Sequence, residues 1–130
     1  MITVIILDPG ANADRPSSSP PLRPVDFLLL LALVEHEQHG YALAGAIAEA
    51  TDDLVRLEPG NLYRVIKRLV DDGLIASSSR RPAPDRDDER RRSYKLTPAG
   101  ARVAALEAQR LRQVLASPSA RALRPLLEAT

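Results

Sequence analysis

Residues 58–75 form the segment that most restricts the fold of this 130-residue chain. At about 100° per residue, a helix from Asn61 to Asp72 separates into two faces. One continuous arc is apolar and consists of Leu62, Val65, Ile66, Leu69 and Val70. The opposite arc is polar and carries three basic and two acidic side chains, and it consists of Asn61, Arg64, Lys67, Arg68, Asp71 and Asp72, with Tyr63 on the border. The segment therefore predicts an amphipathic helix that must bury its apolar face against other elements.

A short helix with a basic, hydrogen-bonding outer face has the size and chemistry to enter the major groove of DNA. Other amphipathic surface helices share those properties, so the helix alone leaves both interpretations open. The charge distribution adds information, because residues 25–57 carry a net charge of −5, whereas residues 58–97 and 98–130 carry +3 each. Any electrostatic attraction to phosphates must therefore come from the second half of the chain.

Two short helices are predicted before this amphipathic helix. The apolar run Phe27–Val34 belongs to a first helix over residues 26–37, with Asp26 as its N-cap. A break at His39-Gly40 separates it from a second helix over Tyr41–Thr51. We expect these two helices to bury the apolar face of the third, which would hold its polar face at a fixed angle.

The periodicity changes after Gly73, which is the predicted C′ residue of the third helix. Leu74–Ser79 and Arg91–Leu96 have the pattern of two strands. The polar segment 80–90 between them mixes acidic and basic side chains, so its tip either contacts phosphates or is a self-neutralised, solvated loop. The better candidates for phosphate contact lie at the strand edge, and they are Arg90, Arg91 and Arg92.

A long helix follows the second strand. Thr97 is its predicted N-cap, Pro98 occupies the favoured first position, and Ser117-Pro118 interrupts it after about Ala116. Its apolar arc is too wide for one small domain to cover. We therefore predict a homodimer whose interface contains Val103, Leu106, Leu111, Val114 and Leu115. The alternative is an intramolecular cover by a short final helix within Ala120–Leu127.

The predicted fold class is mainly α with a small β-hairpin (α+β). Three short helices followed by a two-stranded hairpin are the parts of a winged helix-turn-helix, here with a long C-terminal dimerisation helix. The predicted organisation is a Pro/Ser-rich flexible leader over 1–24, a winged-helix domain over 25–97 and dimerisation helices over 98–130. Within the leader, Ile2–Leu7 could be an isolated strand, a mobile segment or the product of a start site placed too far upstream.

The inventory of reactive side chains argues against an enzyme. The chain has no cysteine, which excludes a disulfide scaffold, a thiolate metal site and a cysteine nucleophile. His36 and His39 lie beside a helix break and indicate a solvated turn rather than a metal site. No phosphate-binding glycine loop, paired-histidine motif or serine-nucleophile motif is present. We therefore predict no catalytic residue, no metal and no cofactor.

No segment of the sequence has the length of a membrane span. The apolar run 27–34 is far shorter than the ~20 residues needed to cross a bilayer. Residues 1–7 lack the basic region that opens a secretory signal. We therefore expect a cytoplasmic protein without a membrane partner.

Several short motifs resemble the PadR family of winged-helix transcriptional regulators. They are His39-Gly40-Tyr41, Pro59-Gly60-Asn61-Leu62-Tyr63, Arg68-Leu69-x-x-x-Gly73-Leu74-Ile75 and Arg92-x-Tyr94-x-Leu96-Thr97-x-x-Gly100. The similarity covers roughly residues 26–116. Its most specific parts are two short sequences. Gly-x-Leu-Tyr opens the third helix, and Tyr-x-Leu-Thr-x-x-Gly ends the wing, which is the hairpin of the two predicted strands, and leads into the long helix.

The resemblance implies a DNA-binding homodimer, usually a repressor, whose third helix reads the operator and whose long C-terminal helix supplies most of the dimer contact. It also implies that Asn61, Tyr63 and Arg64 face DNA, although Asn61 stands where the family often has serine or threonine. The wing is longer and more acidic than is usual in the family. Many relatives respond to a small-molecule effector, so one could act here, although no motif marks its site.

The chemistry of the residues assigns roles independently. Asn61 and Arg64 suit contacts with base edges, whereas Lys67, Arg68 and the hydroxyl of Tyr63 suit phosphate oxygens. Tyr63 could instead be a boundary residue of the core.

Tyr41 and Tyr94 are expected mainly in the core.

The predicted function is that of a sequence-specific transcriptional regulator bound to double-stranded DNA at a pseudo-palindromic operator. The alternative is a winged helix that binds another protein instead of DNA, because a fold does not fix a function.

Overall fold

The computed structural model describes residues 20–78 and 92–128. Its helices are α1 (Pro24–Ala32), α2 (Gly40–Ala50), α3 (Pro59–Asp71), α4 (Pro98–Leu115), α5 (Pro118–Arg121) and α6 (Arg124–Glu128). Its strands are β1 (Gln38–His39), β2 (Ile75–Ser77) and β3 (Ser93–Leu96). Most of the predicted leader, including Ile2–Leu7, and the whole wing tip over 80–90 lie outside the described residues.

One apolar core unites the helices with the sheet. Leu29 and Leu30 of α1 are fully buried, as are Leu43 of α2 and Leu69 of α3. The remaining buried apolar side chains come from every large element and from the segment before α1, and they are Leu22, Leu33, Ile47, Leu62, Ile66, Leu74, Ile75, Tyr94 and Ala104. The α+β fold predicted from the sequence is confirmed.

The first helix differs from its prediction at both ends. It begins at Pro24 with Arg23 as its N-cap, and Asp26 lies inside the first turn with only 1% of its surface exposed. The prediction that Asp26 is the N-cap is therefore wrong. The helix also ends at Ala32, well before residue 37, because the chain turns there to enter a strand. The Gln38 side chain donates a 2.5 Å hydrogen bond to the carbonyl of Ala32, which satisfies one of the orphan carbonyls of the helix end.

The sheet has three antiparallel strands in the order β1-β3-β2. The hairpin of β2 and β3 was predicted, whereas β1 was missed because two residues carry no detectable periodicity. Gln38 pairs with Tyr94, and His39 pairs with Ser93. Tyr94 is buried, as predicted, but Tyr41 is 59% exposed and stacks on the ring of His39, so its assignment to the core is wrong.

The third helix follows its sequence signals closely. Pro59 occupies the first turn, and Leu62, Ile66 and Leu69 are the buried positions of the apolar arc. Gly73 has a φ of +77°, the left-handed conformation that a C′ glycine adopts at low cost. The glycine ends α3 and directs the chain into β2, against which α3 packs.

The start of α4 is fixed by a cap and by a close backbone approach. The Thr97 hydroxyl accepts a hydrogen bond from the Gly100 N–H at 3.0 Å and donates one to the Gly73 carbonyl at 2.6 Å. A Cβ atom added at Gly100 would lie 2.0 Å from the carbonyl oxygen of Leu74. Only glycine therefore allows α4 to begin this close to the connection between α3 and β2.

A buried carboxylate ties α4 to the segment before α1. Glu107 is 2% exposed and accepts two hydrogen bonds of 2.8 Å from the guanidinium of Arg110. These bonds, together with one from the backbone N–H of Leu22, hold the pKa of Glu107 below its ordinary value, although burial acts in the opposite direction. The chain from Leu22 onward is therefore anchored to the long helix.

Replacing Gly100 tests its close approach to the backbone of Leu74. Gly100→Ala should lower the free energy of unfolding by roughly 1–3 kcal/mol, because the new methyl group must displace backbone. Gly45→Ala is the matched control, since its Cβ would meet nothing within 4 Å in the middle of α2. That control should gain about 0.5–1 kcal/mol from helix propensity. Urea unfolding of both variants measures the difference, and equal stabilities would contradict the close approach.

Candidate nucleic-acid interface

The exposed face of α3 carries Asn61, Arg64 and Lys67 in succession along the helix, followed by Asp71 in the last turn. Asn61, Arg64 and Lys67 are exposed, while the opposite side of the same helix is buried in the core. Spacings of three residues place neighbours on one helical face. The structure therefore brings these three predicted residues together on a single accessible surface, which we call the α3 outer face.

The first two members of the α3 outer face are hydrogen-bonded to each other. A guanidinium nitrogen of Arg64 lies 3.3 Å from the Oδ1 atom of Asn61. The amide of Asn61 retains its donor NH₂ group, and the guanidinium of Arg64 retains further N–H groups. The amide offers both a donor and an acceptor, whereas the guanidinium offers donors only, and both patterns can read base edges in a major groove.

A cleft of about 210 Å³ separates α3 from the wing. Its polar lining includes Tyr63 and Lys67 from α3 and Arg92 from the start of the second wing strand. Lys67 also forms an exposed ion pair of 3.6 Å with Asp71. The carbonyl of Arg92 accepts a 2.9 Å hydrogen bond from the N–H of Gly40, so its backbone is fixed against α2. We call this groove the α3–wing cleft.

Arg68 lies away from the other basic residues of α3. Its guanidinium forms an ion pair with the carboxylate of Asp26, and its side chain is 24% exposed, whereas that of Asp26 is 2% exposed. The pair joins the first turn of α1 to the last turn of α3 across 42 residues of sequence. Sequence reasoning missed Asp26 as a partner because a lone acidic residue in a first helical turn gives no signal of a distant cation.

The base of the wing is held by hydrogen bonds of Ser78, the residue that follows β2, with Ser93 of β3 and with Glu37, the residue before β1. The N–H of Ser78 donates to the carbonyl of Ser93 at 2.8 Å, and the Ser78 hydroxyl donates to the carboxylate of Glu37 at 2.6 Å. The described base of the wing lies beside α3, because α3 packs against β2. Of the predicted wing contacts, Arg92 is described, whereas Arg90 and Arg91 lie outside the described residues.

The predicted dimer residues divide into two groups on α4. Leu106, Val114 and Leu115 are 49%, 51% and 69% exposed, whereas Val103 and Leu111 are half-buried. Three leucines beyond α4 are exposed as well, and they are Leu123, between α5 and α6, and Leu126 and Leu127 of α6. In the described part of the chain, α5 and α6 therefore leave part of the apolar arc of α4 exposed.

The two histidines lie in exposed positions at the end of α1 and in β1. The Nδ1 atom of His39 is 3.1 Å from the hydroxyl of Ser93. Within residues 20–78 and 92–128, no group of three or more metal-ligating side chains is close enough to hold an ion. None of the helices in these ranges has the length and apolar character needed to cross a membrane.

This arrangement defines a winged helix-turn-helix protein, in which a buried helix pair supports a third helix that lies beside a β-hairpin. Residues 29–106 match the family model described as the transcriptional regulator PadR-like family. The chain belongs to this family, whose members are regulators of transcription and not enzymes. No curated protein matches the chain.

Solved structures of regulators share the fold. A transcriptional regulator from Clostridium thermocellum Cth-833 is 27% identical with a TM-score of 0.56, over 69% of this chain and 82% of that one. A PadR family regulator from Clostridium difficile R20291 is 22% identical with a TM-score of 0.58, over 79% and 97%. Bacillus subtilis PadR, solved in complex with operator DNA, is 22% identical with a TM-score of 0.52, over 64% and 46%.

Breaking the pair of Asp26 and Arg68 should destabilise the protein. Arg68→Met leaves a buried carboxylate without its cation and should cost roughly 2–4 kcal/mol. The double variant Asp26→Asn with Arg68→Met should cost less than the sum of the single changes, since no buried charge remains. A double-mutant cycle measured by urea unfolding gives the coupling.

Lys67→Met is the matched control for this cycle. Lys67 lies one residue away on the same helix, and the side chains of its ion pair with Asp71 are 79% and 62% exposed. Its loss should therefore change the stability by less than about 0.5 kcal/mol. An Arg68→Met variant as stable as Lys67→Met would contradict a structural role for the buried pair.

Proposed function

We propose that this regulator binds a pseudo-palindromic operator as a homodimer, with one α3 helix in the major groove of each half-site. The observation that carries the proposal is the α3 outer face, which presents Asn61, Arg64 and Lys67 to solvent beside a wing. A symmetric helix-turn-helix dimer places its two third helices about one DNA turn apart, and this is why the proposed operator is pseudo-palindromic. B. subtilis PadR, which shares this fold, was solved in complex with operator DNA, and this supports DNA binding by the present chain.

The side chains divide between reading bases and holding the backbone. Asn61 and Arg64, at the N-terminal end of α3, contact base edges, because recognition helices enter the groove with that end. Tyr63, Lys67 and Arg92 line the α3–wing cleft and contact phosphate oxygens, which add affinity without sequence choice.

The remaining predicted contacts have different support. Arg90 and Arg91 stay proposed phosphate contacts at the edge of the wing strand. For Arg68 we now propose a positioning role, because its charge is compensated by the buried carboxylate of Asp26. The pair fixes the position of α3 relative to α1, and therefore the angle at which the α3 outer face meets DNA.

The regulatory outcome is part of the same proposal. A dimer seated on an operator blocks access of other proteins to that DNA, so we propose repression. We also propose that a small-molecule effector relieves it by changing the spacing of the two winged domains. A cleft of about 430 Å³ between the end of α1 and α2 has the volume of a small-ligand site and is lined mainly by apolar side chains, among them Leu28, Leu31 and Val34.

The dimer is supported by apolar surface that the single chain leaves exposed. Leu106, Val114 and Leu115 form part of that surface on α4, and the leucines of α5–α6 extend it. Several large apolar side chains exposed in the same part of a protein are typical of an interaction site. We propose that the same face of a second copy covers it, with Val103 and Leu111 at its border.

The DNA-binding role predicts a salt-sensitive, sequence-dependent complex. The wild-type protein should shift a duplex from the upstream region of its own operon, and its affinity should fall steeply as the salt concentration rises. The double variant Arg64→Ala with Lys67→Ala should bind at least tenfold more weakly, because it loses a base contact and a phosphate contact. Fluorescence anisotropy with the upstream duplex and a scrambled duplex measures both effects.

The matched control removes an exposed arginine that does not belong to α3 or to the wing. Arg121→Ala alters an exposed arginine of α5, beyond the end of α4, and should bind as the wild type does. Unchanged binding by the α3 double variant would show that this helix does not enter the groove. A wild-type protein that binds neither duplex would favour the rival function, in which the winged helix binds another protein.

The dimer proposal predicts that one charged substitution separates the protomers. Leu115→Glu should weaken self-association at least tenfold, because the carboxylate would be buried without a partner. Leu54→Glu is the control, since Leu54 is 85% exposed in the connection between α2 and α3, outside the apolar surface of α4. Sedimentation equilibrium measures the association constants. Monomeric wild-type protein, or identical association by both variants, would contradict the proposal.

A further inference from the structure

The α3 outer face is bordered by a second cleft on the side away from the wing. This cleft has a volume of about 390 Å³ and lies between α3 and the N-terminal end of α1. Its polar lining includes Asn61 and Arg64 from α3 and Arg23 from the N-cap of α1. We call it the α1–α3 cleft. The two clefts therefore flank the same helix, and each carries basic side chains.

The charge balance of the α1–α3 cleft is positive. Asp26 and Arg68 also line it, but they neutralise each other in their ion pair. Among residues 20–78 and 92–128, neither Arg23 nor Arg64 takes part in an ion pair, and both are exposed. Two arginine charges are therefore left to attract an anion into this groove.

The backbone that carries Arg23 is held firmly. The carbonyl of Arg23 accepts the first hydrogen bond of α1, from the N–H of Phe27 at 3.0 Å. The preceding residue, Leu22, is 7% exposed, and its N–H bonds to the buried carboxylate of Glu107. An exposed arginine on a fixed backbone loses less entropy on binding a ligand than one on a loose segment.

We propose that Arg23 binds a phosphate of the DNA strand on the side of α3 opposite the wing. The major groove is bounded by two phosphate backbones about 12 Å apart, and a helix in the groove has one on each side. The α3–wing cleft faces one backbone, and the α1–α3 cleft faces the other. This inference rests on the proposed DNA-binding function. It adds a DNA contact by Arg23, which lies within the leader predicted from the sequence over residues 1–24.

A phosphate contact of this kind has a distinct signature in salt titrations. Arg23→Gln should weaken binding roughly three- to tenfold for the upstream duplex and for a scrambled duplex alike, because a phosphate carries no sequence information. The slope of log affinity against log salt should fall in magnitude by about one. Arg23→Lys should retain most of the wild-type slope, since lysine also serves as a point charge for phosphate.

Arg121→Gln is the matched control, since it removes one exposed arginine beyond the end of α4. Thermal melts of all variants establish that each is folded at the temperature of the titration. An Arg23→Gln slope equal to that of Arg121→Gln would overturn the inference, as would a loss confined to the upstream duplex. In both cases salt-sensitive binding by the wild type would leave the proposed function standing. A wild type that binds no DNA would instead remove the proposed function itself.

Discussion

The structure depends on the burial of one face of α3. Leu62, Ile66 and Leu69 lie in the core shared with the leucines of α1 and α2, so the polar residues of the same helix must face outward. Apolar packing is non-directional and leaves room for sliding and rotation. The ion pair of Asp26 with Arg68 adds a directional bond between α1 and α3, which restricts their relative position.

The same constraint organises the rest of the domain. The wing lies beside α3 because Gly73 turns the chain directly from the helix into β2. Gly100 lets α4 begin against that turn, and Glu107 then fastens the segment before α1 to α4. The long helix is therefore bonded both to the end of α3 and to the start of α1.

Local signals in the sequence were sufficient for much of this fold. The amphipathic period of α3, the left-handed glycine at its end and the Thr97 cap of α4 each act over a few residues, and the structure confirms them. Two of the errors involve longer distances, whereas the wrong core assignment of Tyr41 does not. Asp26 is of a residue type that often caps helices, but its partner, Arg68, lies 42 residues away in the sequence. The strand β1 forms only because β3 offers it an edge to pair with.

The sequence by itself determined the helix-turn-helix elements and the exposed polar face of α3, because periodicity and capping are local properties, and its short motifs determined the family. Only the tertiary structure decided which basic residues lie together. It placed Arg68 against a buried carboxylate, and it brought Arg23 beside Arg64 in the α1–α3 cleft. These juxtapositions depend on how distant helices pack, and no spacing within one helix encodes them.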